Sequence, residues 1–163
     1  MLERTGAAMD RDGRIATSGK VDEAALGQLL AHPYFQAPPP KSLDRNAFSL
    51  RAIESLPLAN AAATLVAFTA ETIAHAMRQL PAPPKRLIAA GGGTKNPVLM
   101  IEIARRTGFA VEPAEAFGWS ADAMEAQAFG YLAVRSRAGL PLTFPTTTGV
   151  PRPMTGGRLA EAA

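Results

Sequence analysis

Apolar and polar positions alternate with a helical period over much of the chain. Leu26, Leu29 and Leu30 predict a short helix from Asp22 to Leu30, ended by His32-Pro33. The longest periodic stretch, Asn60 to Leu80, places Leu65, Phe68, Thr69, Thr72, Ile73, Ala76, Met77 and Leu80 on one stripe. Glu71, His75 and Arg78 fall on the other side, so His75 reads as a solvated helix residue. Lys85 to Ala90 then reads as a buried strand, and Gly91-Gly92-Gly93 follows directly. Asn96 and Pro97 suit the cap and first position of a helix with Leu99, Met100, Ile103 and Ala104 on its apolar face and Gly108 as its stop. Ala110 to Glu112 is a second short strand, and Ser120 is expected to cap a helix over Ala121 to Ala138. From Gly139 the chain is rich in Pro, Thr and Gly and reads as extended or loop-like.

The N-terminal stretch is less patterned. Asp10 to Gly13 reads as a turn and Arg14 to Thr17 as a short strand. Pro38-Pro39-Pro40 forms a stiff connector, and Lys41 to Asn46 after it is either a plain polar loop or one that offers Lys41 or Arg45 to an anion. The strand–helix–strand–helix order of the second half makes the fold class α/β, with helices packed on a small mixed sheet.

Composition narrows the chemistry. The 163 residues are 47% hydrophobic and 19% charged, as in a globular chain, and they include 33 Ala. With no cysteine, disulfides, thiol nucleophiles and Cys-ligated metals are excluded. Net charge is +3 and the isoelectric point about 9.7, but the 13 Arg and 4 Lys are dispersed and not interleaved with aromatics, so nucleic acid is not an expected partner. The uncharged run Ser55 to Ala70 is too short for a membrane span, and Met1 to Arg4 does not open a secretory signal; a cytoplasmic location without membrane contact is expected.

Two places are candidates for chemistry. Three consecutive glycines between a strand and a capped helix let another molecule approach the backbone, close to a helix N-terminus that favours anions; an ordinary βα turn is the alternative. It is neither a Walker A loop nor a Rossmann fingerprint. Glu125 projects between Leu132 and Phe129 in a stripe with Met124, Ala128 and Tyr131, so it is either an edge residue in solvent or faces a polar cleft. Asp122 suits the first helical turn, and Trp119 reads as a packing residue.

The segment Leu87 to Met100 resembles the adenosine motif of anhydro-N-acetylmuramic acid kinases. So do Ser18 to Asp22, His32 to Phe35, Pro39 to Arg45, Thr64 to Ala74, Ser120 to Phe129, Gly139 to Pro141 and Thr148 to Pro153 with the corresponding family segments. The resemblance implies one lobe of an actin-like ATPase and sugar-kinase fold, with residues 1–40 as an N-terminal segment and 41–163 as the nucleotide-binding lobe. It implies ATP with Mg²⁺, bound through Gly91, Gly92, Gly93 and Asn96. It also implies 1,6-anhydro-N-acetylmuramic acid as the substrate, with Glu125 on the sugar side. The family's Gly-Thr-Ser-x-Asp-Gly phosphate hairpin and its Asp-Thr-Gly-Pro-Gly-Asn motif with the catalytic base have no counterpart here, and Thr5-Gly6-Ala7 does not replace the first. The resemblance therefore implies a C-terminal portion with no catalytic residue or metal ligand of its own, inactive alone and partnered by the missing lobe or by further copies. A non-catalytic nucleotide-binding or docking module is the alternative.

Overall fold

The computed structural model describes residues 5–160, apart from the Arg45 side chain; the reading of Met1 to Arg4 and the anion role considered for Arg45 lie outside that description. Helices α1 (Arg14–Thr17), α2 (Glu23–Leu30) and α3 (Arg51–Glu54) precede the long helix α4 (Leu58–Arg78). Strand β1 (Leu87–Ala89), helix α5 (Pro97–Thr107) and strand β2 (Val111–Pro113) form a crossover unit. Helix α6 (Met124–Arg137) and the short α7 (Pro145–Thr148) complete the chain. The class is α/β as expected. The sheet, however, is a two-stranded parallel pair with Leu87 opposite Val111 and Ala89 opposite Pro113, rather than mixed; the antiparallel bridge between Thr143 and Met154 stands apart from it.

Helix α4 is packed on two sides. Ala63, Ala67, Ala70 and Ala74 form a line of buried small residues along it, and α1, α2 and α5 all lie against this helix. Leu65 and Phe68, from the stripe read in the sequence, pack partly buried against a core of Ala25, Leu29, Ile53 and Ala61. Thr69, Ala76 and Leu80, from the same stripe, are exposed. Large side chains dominate a periodicity reading, whereas close helix–helix contact selects alanine, because a shorter side chain lets backbones approach.

Buried polar groups fix how the N-terminal segment meets α4. The Thr64 hydroxyl, fully buried, accepts from the Asp22 N–H at 2.9 Å, and Asn60 Oδ1 accepts from Lys20 N–H at 3.0 Å. Asp22 in turn caps α2 by accepting from Ala25 N–H. The strand expected at Arg14 to Thr17 is helical instead. The Asp10 carboxylate accepts from both Ile15 and Ala16 N–H at 2.9 Å, and this cap outweighs the β-preference of Ile15 and Thr17. Gly13 sits at φ +68, and a Cβ there would strike Asn96 Oδ1 and Val98, so the turn rests directly on the start of α5.

The partner side of α4 is ionic. Arg106 of α5, only 13% exposed, donates to Glu71 Oε2 at 2.9 Å and to Glu102 Oε1 at 2.6 Å. Arg78 also donates to Glu71, and Arg105 to Glu102. His75 is half-buried, with Nε2 3.5 Å from Glu71, and is not the solvated residue expected from the helical wheel. Burial pulls the Glu71 carboxyl upward, but hydrogen bonds from Arg106 and Arg78 and their charges more than offset it, leaving its pKa lowered. For Glu102 the Arg105 hydrogen bond dominates; burial opposes it and Arg106 reinforces it, so its pKa is lowered too. Lys41 donates to the Tyr34 and Phe35 carbonyls and lies over the Tyr34 ring, so it is engaged internally rather than held out to an anion. Among the described residues no helix is long and apolar enough to cross a membrane.

Carboxylates with lowered folded pKa values stabilise the fold above their unfolded value, about 4.3 for Glu, and that contribution fades as pH falls through the folded values. Urea unfolding should therefore lose stability below about pH 4.3, and the Glu71→Gln/Glu102→Gln double variant should show a flatter acid limb than the parent. Arg106→Ala, which leaves both carboxylates without their shared partner, should cost about 2–4 kcal/mol at pH 7. The Asn96 side chain caps α5 by accepting from Val98 N–H at 3.1 Å and Leu99 N–H at 3.2 Å. Asn96→Ala should cost about 1–2 kcal/mol in the same assay, and Asn96→Asp much less.

Candidate functional site

The glycine turn is built by its neighbours on both sides. Strand β1 delivers the chain to Gly91, whose φ of +88 is one that L side chains rarely adopt. Thr94 closes the turn, donating from its hydroxyl at 2.8 Å and its N–H at 3.1 Å to the Gly91 carbonyl. Gly92 to Lys95 form a 3-10 turn that leads into the Asn96 cap and Pro97 at the start of α5, and Gly108 ends that helix at φ +76, both as the sequence predicts. A Cβ on Gly91 or Gly92 would meet nothing within 4 Å, so both face open space. Gly93 instead turns towards Leu99.

Opposite this turn lies the lead-in to α6. The helix begins at Met124, three residues later than expected, and the Ser120 hydroxyl accepts from Ala123 N–H within the preceding turn. Glu115 anchors that turn by accepting from the N–H of buried Ala121. Asp122 thus lies ahead of the helix, where it pairs with Lys95 Nζ at 2.8 Å and links the two turns. Trp119, read as a packing residue, is 52% exposed, with its ring 6.1 Å from that of Phe117.

Between the turns is a concavity of about 410 Å³. Ala90, Gly91, Gly92, Ala121 and Ala128 make its small-residue lining, and Asp122, Met124 and Glu125 complete it. Gly91, Gly92 and Glu125, distant in sequence, thus share one surface. Gly93 and Asn96 are not part of that lining: Asn96 borders a separate apolar hollow of about 440 Å³ with Leu50, Leu58 and Leu65. Glu125 is exposed, so both of its sequence readings hold in part: it meets solvent and also lines the concavity.

The chemistry of this lining is specific. Small residues leave room for a flat ring against the backbone, and two carboxylates accept hydrogen bonds from hydroxyl or amino groups. No cation stands among the lining residues, and the first free N–H groups of α5 are satisfied by Asn96 itself. The anion-binding helix N-terminus considered from sequence is therefore closed by its own cap. Among the described residues no group of three or more His, Asp or Glu is placed to hold a metal ion. The Lys95–Asp122 link and the place of Ala121 in the lining escaped the sequence reading. The signal of the first was charge complementarity between the two turns.

A family model described as anhydro-N-acetylmuramic acid kinase matches residues 1–161. The curated anhydro-N-acetylmuramic acid kinase of Rhodospirillum rubrum is 56% identical over 163 residues, which is 100% of this chain and 44% of that protein. Those of Rhizorhabdus wittichii and Caulobacter vibrioides are 55% and 54% identical, over 96% and 98% of this chain and 43% of each relative. The chain thus spans less than half the length of the curated relatives it matches. The matches lend no support to its being their C-terminal portion, nor to its being inactive alone. A model match over nearly the whole length, with relatives at this identity, places the chain in the anhydro-N-acetylmuramic acid kinase family.

Proposed function

We propose that this chain supplies the nucleoside-facing wall of an ATP-dependent anhydro-N-acetylmuramic acid kinase. The carrying observation is the concavity that unites Gly91 and Gly92 with Asp122 and Glu125. In the proposed reaction water opens the 1,6-anhydro bridge of the amino sugar. O6 then takes the γ-phosphoryl group of ATP, giving N-acetylmuramic acid 6-phosphate for cell-wall recycling in the cytoplasm.

The base and ribose would lie along the Gly91–Gly92 backbone, and Glu125 would accept from a sugar hydroxyl. Asn96 and Gly93 serve this site from behind, by holding α5 and the turn in place. The stretch 41–163 is the part proposed to meet nucleotide, and residues 1–40 brace it through Gly13 and Asp22. The γ-phosphate is proposed to be held elsewhere, because an acidic lining repels it. Phosphoryl transfer also needs positioned cations and a base, so turnover by the chain alone is not expected.

Gly92 has room for a side chain within the chain itself, so Gly92→Val isolates the ligand. Its unfolding free energy should stay within about 0.5 kcal/mol of the parent. ATP affinity measured by calorimetry should fall about tenfold or more, equivalent to about 1.4 kcal/mol. Unchanged ATP binding would reduce the turn to a structural feature. Glu125→Gln should leave the melting temperature unchanged, since the residue is exposed, and should weaken binding of 1,6-anhydro-N-acetylmuramic acid in saturation-transfer NMR. Equal sugar signals from parent and variant would remove Glu125 from the site.

A further inference from the structure

A second hollow lies at the other end of α6, between that helix and the C-terminal tail. The helix contributes Phe129, Leu132, Ala133, Ser136 and Arg137, which the helical repeat places on one stripe. The tail is tied back over this stripe. Leu142 N–H donates to the Met154 carbonyl at 2.8 Å, Met154 N–H donates to the Thr143 carbonyl at 3.1 Å, and the Ser136 hydroxyl donates to the Gly156 carbonyl. Gly157 then passes so close to α6, at φ +88, that a Cβ there would stand 2.6 Å from Ser136 Oγ. These ties bring Leu142, Arg158 and Leu159 to the same hollow, of about 630 Å³. Its volume falls within the range of about 300–1,000 Å³ typical of small-molecule sites.

The lining defines a ligand. Phe129, Leu132, Leu142 and Leu159 offer apolar surface, and Phe129 and Leu159 keep 63% and 74% of theirs exposed. Arg137 and Arg158 are exposed too, and neither has an ion-pair or hydrogen-bond partner among the described residues. Arg135 differs, since it donates to the Pro141 carbonyl and lies over the Tyr131 ring. The helix dipole accounts for a cation at 137 but not for Arg158. The lining side chains include no carboxylate or carboxamide, and the Ser136 proton is already given to Gly156. A sugar or nucleoside, rich in hydroxyl and amino donors, would find few acceptors here. A carboxylate only accepts, and it matches the guanidinium fork.

We propose that the hollow between α6 and the tail binds an aliphatic carboxylate of medium chain length, with its head at Arg137 and Arg158 and its chain along Leu132, Leu142 and Leu159. This lining is opposite in charge to the acidic concavity at the start of α6, and the proposal does not depend on nucleotide binding there.

Titration calorimetry of this chain with decanoate below its micelle concentration tests it. Decanoate should saturate one site, while acetate and decyltrimethylammonium should bind about tenfold more weakly or worse. The Arg137→Gln/Arg158→Gln double variant should keep the parent's urea midpoint and lose about tenfold or more in decanoate affinity. Amide NMR shifts on adding decanoate should centre on 132–137 and 156–159. Equal affinity for decyltrimethylammonium, or an unaltered affinity in the double variant, would overturn the proposal. So would shifts confined to other segments, or no decanoate binding because a second copy, seen by light scattering, covers the hollow.

Discussion

The contact between α4 and α5 carries the rest of the molecule. Alanines along α4 allow neighbouring helices to come close, and the Glu71–Arg106–Glu102 chain fixes how α5 lies against it. Half-buried charges lose solvation, and only good geometry with several hydrogen bonds offsets that loss. Arg106 meets the condition by donating to carboxylates on two helices at once. This ties the orientation of α5 to α4 more tightly than an apolar contact, which tolerates rotation and sliding.

The glycine turn depends on that orientation. It hangs between β1 and the N-terminus of α5, and Asn96 holds the helix start by capping two N–H groups while Gly13 rests against it. The N-terminal segment therefore supports the concavity without lining it. The Lys95–Asp122 link between the two turns is largely exposed to water and adds little by itself. Its value is positional, since it keeps the α6 lead-in opposite Gly91 and Gly92.

Local signals were the legible part of this sequence. Asn96 as a cap, Pro97 at a first helical position, Gly108 as a stop and the two strands are all set by residues within a few positions of one another. What failed depends on distant partners. Ile15 and Thr17 suggested a strand because the reach of Asp10 to the Ile15 and Ala16 amides was not weighed. The alanine line of α4 was hidden behind larger apolar residues, and Glu71 looked solvated because Arg106 lies far along the chain. Gly91 and Glu125 were both singled out, but their meeting across one concavity is a tertiary fact that neither motif contains. The burial expected for β1 is the instructive miss: among the described residues one neighbouring strand leaves Leu87, Ile88 and Ala89 only half-buried.

The central claim is that the concavity between the glycine turn and α6 takes a nucleoside. Photolabelling the chain with an azido-adenine analogue of ATP, followed by peptide mapping, tests it most directly. The account predicts label in the peptides around 88–96 and 120–128, competed away by unlabelled ATP. Label concentrated instead around Leu50, Leu58 and Leu65, the lining of the separate apolar hollow, or label that ATP does not compete, would contradict it.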